Sequence, residues 1–135
     1  MNQVKWRSLK IIITTMMAIA FAGNSFGQDT NLIVHIAKLQ IDSAQLENYK
    51  TALKIHAETA VRVEPGVLTL YAVYEKDHPT QVLVFEIYAN AEAYKAHLKT
   101  AHFIQYKTST KNMVKSLELI ETVPIALETK PKASS

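Results

Sequence analysis

The stretch VLTLYAVYEKDHPTQVLVFEIYA, residues 67–89, decides the fold of this chain. Its two ends, residues 67–75 and 81–89, are rich in β-branched and aromatic residues, which favour strands. The five residues between them, KDHPT at 76–80, are typical of a turn. The stretch therefore predicts an antiparallel β-hairpin.

The segments around the hairpin predict the rest of the fold. In chain order the predicted elements are a strand at 31–41, a helix at 42–64, the two hairpin strands, a short helix after Asn90, a further helical piece at 101–115, and a strand at 116–125. Pro65 disfavours helix in the residue before it and Gly66 turns the chain, so the first helix ends there. This order predicts a ferredoxin-like α+β domain, in which a four-stranded antiparallel sheet carries its helices on one face.

Both faces of the hairpin strands are apolar. The first hairpin strand is predicted to alternate regularly, with one face made of Val67, Thr69, Tyr71 and Val73. In the second, Leu83 and Phe85 lie on one face and Val82 and Val84 on the other. A sheet with one face in water should alternate apolar and polar residues. Because the helices cover only one face, we expect a second copy of the chain to cover the other in a homodimer.

The first 27 residues have the layout of a secretory signal peptide. A basic start is followed by an uncharged run at 11–22 and by small residues, with Ser25 and Gly27 spaced for signal-peptidase cleavage. The run is shorter than the roughly 20 residues that a membrane span needs, although an uncleaved anchor is an alternative. We predict an exported protein, periplasmic or secreted, with no stable membrane insertion after cleavage.

Composition limits the function of the remaining chain. The net charge of +3 comes from three basic residues of the leader, and residues 28–135 carry 12 basic and 12 acidic side chains. Nucleic-acid binding, which needs a basic face, is therefore not supported. The chain has no cysteine and so no disulfide. We predict one domain over residues 28–125 and a polar, flexible tail over residues 126–135.

The stretch AYKAHLKTAHF, residues 93–103, contains two histidines. Tyr94 and His97 are three residues apart, so His97 lies on the inward stripe of the predicted helix. His102 lies roughly 140° further around a helix, whereas two metal ligands on one helix face need a spacing of three or four. We predict no metal site, but a helix break near Thr100 would let His102 turn toward the same cavity as His97.

Glu86 is the carboxylate of the second hairpin strand, where it shares a face with apolar residues. A buried carboxylate is costly unless it is paired or hydrogen-bonded, so we expect a partner such as His97, His102, a lysine or an arginine. Purely structural alternatives are a Glu86 ion pair, a hydrogen-bonded core His97, and a His102 that faces solvent or a dimer rim. His56, on the buried stripe of the first helix, is expected mainly to pack.

Two segments, EPGVLTLYAVYE and VLVFEIYANAEAYKAHLKTAHF, resemble the antibiotic biosynthesis monooxygenase (ABM) domain family, a branch of the dimeric α/β-barrel proteins. The resemblance covers residues 31–125 and implies a ferredoxin-like domain that dimerises sheet to sheet. Some members oxidise quinols or polycyclic phenols with O2 and use no metal or organic cofactor. The residues that match the family's motif positions are Glu86, His97, His102 and Phe103. Tyr88 stands where many members have tryptophan.

The resemblance implies a cofactor-independent monooxygenase that acts on a small quinol or phenol. In this hypothesis His97 takes a proton from the substrate, and Glu86 or His102 orients it or holds charge. The predicted substrate-binding residues are Tyr71, Tyr88, Phe103 and His56. One alternative is a non-catalytic dimer that binds a small apolar ligand or supports a stress response. A haem-binding or haem-degrading protein is a weaker one, because the histidine of haem-degrading relatives falls near Lys107 and residues 28–135 lack tryptophan.

Overall fold

The computed structural model describes residues 31–130, so the predicted signal peptide and the last five residues lie outside the described part. The helices and strands are β1 (Ile33–Ile41), α1 (Leu46–Val63), β2 (Val67–Tyr74), β3 (Gln81–Tyr88), α2 (Ala91–His97), α3 (Ala101–Thr110) and β4 (Val114–Thr122). The strands form one antiparallel sheet in the order β2-β3-β1-β4. This confirms the ferredoxin-like prediction. Among the described residues, no helix is both long and apolar enough to cross a membrane.

Helix α1 packs its predicted apolar stripe on the sheet. A short 3-10 turn, Ser43–Gln45, precedes it, and the Asp42 carboxylate caps that turn by accepting a hydrogen bond from the Ala44 amide at 2.9 Å. Tyr49, Leu53, His56 and Ala60 are the buried residues of the helix. The helix ends at Val63, where the following Glu64 is extended as expected for a residue before proline. This end turns the Glu64 side chain toward the two helices that follow the hairpin.

A β-bulge changes the predicted alternation of β2. The register against β3 shifts between Val67 and Thr69, so Val67 lies opposite Tyr88 on the inner, helix-covered face. Val67 is buried there, while Thr69 and Tyr71 remain on the outer face. The prediction that Val67 shares a face with Tyr71 is therefore wrong, because a bulge inserts one extra residue and reverses the parity of the strand.

A break between α2 and α3 positions the second histidine. Helix α2 is capped by Asn90, as predicted, and ends at His97. Thr100 is extended and caps α3 by accepting a hydrogen bond from the Phe103 amide at 3.3 Å. The helix break near Thr100, which the sequence left open as a condition, is present in the structure. Because α3 starts in a new direction, His102 can approach His97 although the two are five residues apart.

Candidate functional site

A cavity of about 190 Å³ lies between the inner face of the sheet and the helices. We call it the aromatic cavity, because its wall includes Tyr88, Tyr94, Phe103 and Tyr106. Besides the tyrosine hydroxyls, its polar lining residues are His56, Glu86 and Lys107. Apolar strand residues complete the wall. A hydrophobic enclosure with a few convergent polar groups is the usual form of a small-molecule site.

Glu86 is the carboxylate that borders this cavity. Tyr88 lies two residues along the same strand face and donates a hydrogen bond from Oη to Glu86 Oε2 at 3.0 Å. Burial raises the pKa of the Glu86 carboxyl, and this outweighs the lowering by the Tyr88 hydrogen bond and the Lys107 charge. Of the expected partners of Glu86, a lysine is present nearby in Lys107, whereas His97 and His102 contact a different carboxylate.

The two histidines meet a different carboxylate, Glu64. His97 Nδ1 hydrogen-bonds Glu64 Oε1 at 2.9 Å, and His102 Nε2 lies 2.8 Å from the same oxygen. The angles of the second contact do not fit a hydrogen bond. His102 Nε2 therefore has no hydrogen-bond partner among residues 31–130. His102 Nδ1 lies 3.3 Å from His56 Nδ1. These four residues form what we call the histidine cluster, which joins the end of α1 to both shorter helices.

A larger cavity lies away from these residues. It measures about 320 Å³ and opens between α1 and the edge strand β2, with Lys50, Lys54 and Glu58 as its charged lining. None of the residues predicted to act in catalysis or binding borders it. We therefore take the smaller, aromatic cavity as the candidate site.

Comparison with known proteins identifies the family. The sequence pattern of the family described as antibiotic biosynthesis monooxygenase matches residues 32–109. The chain belongs to this family. A structure from Bacteroides thetaiotaomicron, described provisionally as an antibiotic biosynthesis monooxygenase, is 45% identical, with a TM-score of 0.73, and the match covers 77% of this chain and 99% of that one. The ABM resemblance noted in the sequence is thus confirmed.

Two further solved structures are similar to this ABM domain. One, from Lactobacillus acidophilus and provisionally described as a monooxygenase, is 32% identical with a TM-score of 0.68; the match covers 70% of this chain and 45% of that one. The other, from Nitrosomonas europaea, is 21% identical with a TM-score of 0.67, and the match covers 71% of this chain and 92% of that one. At this identity it supports the fold alone. A search of curated proteins gives no match.

Two imidazoles of the histidine cluster in the ABM domain, those of His56 and His97, are held in the neutral form. Burial, together with smaller effects of the neighbouring His97 and His102, lowers the pKa of His56 from 6.5 to about 4. Burial also lowers the pKa of His97, against the opposing effect of its hydrogen bond to Glu64. At neutral pH His56 and His97 are therefore uncharged. Within residues 31–130, no group of three or more His, Cys, Asp or Glu side chains is arranged to hold a metal ion.

The predicted site residues lie in three places: on the wall of the aromatic cavity, behind that wall, and on the outer face of the sheet. His56, Glu86, Tyr88 and Phe103 line the aromatic cavity. The predicted base His97 is only 2% exposed and does not line it, although its ring lies 4.9 Å from that of Phe103. His102 also stands behind the wall, in contact with His56. His56 therefore has the cavity-facing position that was expected for His97.

Tyr71 does not reach the aromatic cavity. It lies opposite Phe85 on the outer face of the sheet and is 61% exposed. Its predicted role as a pocket residue is therefore wrong within one chain, because the side chains of neighbouring residues in a strand point to opposite faces. The inner-face position belongs to Leu70 instead.

Two residues of this arrangement were missed by the sequence analysis. Glu64 was read only as the end of α1, although a carboxylate at a helix end can reach past its own helix. Tyr106 stacks on His56, with ring centroids 4.6 Å apart and an angle of 6° between the planes, and its hydroxyl lies 2.7 Å from that of Tyr49. The three-residue spacing of Phe103 and Tyr106 on α3 was the available signal.

Proposed function

We propose that this ABM domain oxidises a small phenol or hydroquinone with O2 and uses neither a metal nor an organic cofactor. The observation that carries the proposal is the buried Glu86 carboxylate on the wall of an aromatic cavity. Family membership supports a monooxygenase reaction. An alternative, a non-catalytic ligand-binding dimer, would use the same cavity without consuming O2.

The proposed reaction starts with loss of the substrate's hydroxyl proton. The resulting anion passes one electron to O2, which gives a substrate radical and superoxide. These two combine at a ring carbon, and the peroxide loses water to leave a quinone-type product. A phenol and one O2 thus give one quinone and one water, with one oxygen atom in each product. The protein's tasks are to accept the proton and to keep the anion in a dry cavity.

Glu86 is the base in this proposal. A general base works best when its pKa lies near the working pH, and burial moves the Glu86 pKa upward in that direction. Tyr88 donates its hydrogen bond to the same carboxylate and fixes its orientation. His97, the base expected from the sequence, is assigned a positioning role, because it does not line the cavity but packs against Phe103 and Tyr88, which do.

His56 is the second polar contact for the substrate. Its Nδ1 faces His102, and its Nε2 has no hydrogen-bond partner among the described residues. Because its pKa is lowered to about 4, the imidazole stays neutral and can accept a hydrogen bond from a substrate hydroxyl. Glu64 holds this arrangement through His102 and His97.

The test is O2 consumption by the purified protein with a panel of phenols and hydroquinones. We expect uptake above the autoxidation background and a loss of about 100-fold in Glu86→Gln, the usual size of a general-base contribution. Glu92→Gln, on the exposed side of α2, is the control and should keep full activity. Ligand binding without O2 uptake would indicate the non-catalytic alternative, and a Soret band that survives gel filtration with hemin would indicate a haem protein.

We also propose that two copies of the chain pack through the outer face of the sheet. Tyr71 and Val73 are 61% and 57% exposed there, next to the half-buried Phe85. A contiguous exposed apolar face of this kind usually marks an interaction surface. Light scattering after size exclusion should give the mass of a dimer, and a Tyr71→Lys variant should shift it toward the monomer. A wild-type monomer at micromolar concentration would contradict the proposal.

Export is the last part of the proposed function. The leader over residues 1–27 supports it through its basic start and short apolar run. Fractionation of expressing cells, with N-terminal sequencing, tests it. We expect a mature chain that begins at Gln28 outside the cytoplasm, whereas an intact N-terminus in the cytoplasmic fraction would contradict it.

A further inference from the structure

We propose that Lys107 makes this site selective for single-ring phenols that carry an anionic substituent, such as a carboxylate. The ring hydroxyl would face Glu86 and His56, and the anionic group would lie beside the Lys107 ammonium at the mouth of the cavity. The inference rests on the proposed function and narrows its substrate class.

The size of the aromatic cavity argues for one ring. Its volume is about 190 Å³. A cavity of about 150 Å³ in a protein core is large enough to bind benzene. One six-membered ring with a few substituents therefore fills the available space, whereas a polycyclic phenol or a haem exceeds it.

The charges of the cavity are placed at two different depths. Glu86 and Lys107 are the charged residues of its lining. Glu86 is half-buried among the strands, while Lys107 is on the exposed side of α3. Lys107 forms no ion pair within residues 31–130. A ligand that donates a hydroxyl inside and carries a negative charge outside complements both residues.

The mouth of the cavity explains how such a ligand would enter. Leu117 and Leu119 on the inner face of β4 are each 46% exposed, because the helices leave this strand uncovered. Leu98 at the end of α2 is also exposed and borders the same opening. The ring can contact these leucines on its way in, and Lys107 is the cation beside them.

The opposite orientation of the ligand is unfavourable. A carboxylate placed inside would meet the Glu86 carboxylate in an apolar surrounding, where like charges repel strongly. The same group at the mouth keeps part of its hydration and gains a charge-assisted hydrogen bond from the ammonium. The charge pattern therefore selects the orientation as well as the ligand.

The experiment is calorimetric binding without O2, so that turnover does not interfere. The probes are hydroquinone and 2,5-dihydroxybenzoate, which differ by one carboxylate. For the purified protein we expect the carboxylate to bind about tenfold more tightly, as a hydrogen bond between charged groups would give. In Lys107→Gln that advantage should vanish, so that the two probes bind with the same Kd. Lys111→Gln, just after α3 and outside the cavity lining, is the matched control and should bind both probes as the wild type does.

The outcomes separate this inference from the proposed function. Equal affinity for the two probes, or an unchanged preference in Lys107→Gln, would overturn the role of Lys107 even if O2 uptake occurs. A Lys107-dependent preference without any O2 uptake would support the selectivity and overturn the oxygenase reaction. Tighter binding of a polycyclic phenol than of either probe would contradict the single-ring limit.

Discussion

The Glu64 carboxylate lies against two histidines that belong to two different helices. It is 12% exposed, and one of its oxygens is within 3 Å of a nitrogen of both His97 and His102. The carboxylate thereby fixes the tautomer of His97, whose Nδ1 must carry the proton to donate to it. One side chain at the end of α1 thus sets the orientation of the residues behind the cavity wall.

Removal of the Glu64 charge should weaken this arrangement. In Glu64→Gln we expect a free energy of unfolding lower by about 2 kcal/mol, because a largely buried hydrogen bond to a charged group is lost. The pKa of His97 should fall further, since Glu64 now raises it. Urea unfolding and NMR titration of the histidine ring protons measure both effects. Glu47→Gln, an exposed site in the first turn of α1, is the control; an unchanged His97 titration in Glu64→Gln would contradict the pairing.

Glu86 should show the opposite effect on stability. Its folded-state pKa is raised, so the group favours the folded state below its unfolded pKa and loses that contribution as the pH rises through the folded pKa. At pH 7 we therefore expect Glu86→Gln to be more stable than the wild type while it loses activity. Thermal unfolding at pH 7 measures this. A lower Tm for Glu86→Gln would show that the carboxylate stabilises the fold. That result would contradict a catalytic base whose burial lowers the stability of the protein.

At the scale of elements, the sequence predicted the architecture better than the details that build the site. The apolar patterns of the strands, the Asn90 cap and the break near Thr100 were readable, because each depends on neighbouring residues. The bulge after Val67 and the partner of His97 were not, because both depend on contacts between distant segments. The partner of Glu86 likewise stayed open among histidine, lysine and arginine, because a strand pattern gives the face of a side chain but not the residue that packs above it.

The turn between α1 and β2 is packed directly against α2. A side chain at Gly66 would collide with Cβ of Ala93, and the Gly66 carbonyl accepts a hydrogen bond from the Ala89 amide at 2.9 Å. We expect Gly66→Ala to lower the free energy of unfolding by about 1–3 kcal/mol, as overpacking does. In the double variant with Ala93→Gly, which removes the colliding Cβ, most of this stability should return. What remains lost is the cost of placing a glycine in helix α2. Additive effects of the two changes in denaturant unfolding would contradict direct contact.

For the whole molecule, the buried histidines predict sensitivity to acid. The pKa of His56 falls from 6.5 to about 4 on folding, so its contribution to stability is present above pH 6.5 and is lost as the pH falls toward 4. The shift corresponds to a loss of up to about 3 kcal/mol over that window. His97 shifts in the same direction. Unfolding free energies measured between pH 4 and 7 should fall less steeply in His56→Gln than in the wild type, and equal slopes would contradict the role of His56.

The most direct test of the central claim is the fate of the oxygen atoms. The purified protein would be supplied with 18O2 and a single-ring hydroquinone, and the product would be examined by mass spectrometry beside Glu86→Gln and Glu92→Gln. The proposed reaction predicts one 18O in each product molecule, at a rate that falls about 100-fold in Glu86→Gln and is unchanged in Glu92→Gln. A product without 18O, or equal rates in both variants, would contradict a monooxygenase in which Glu86 is the base.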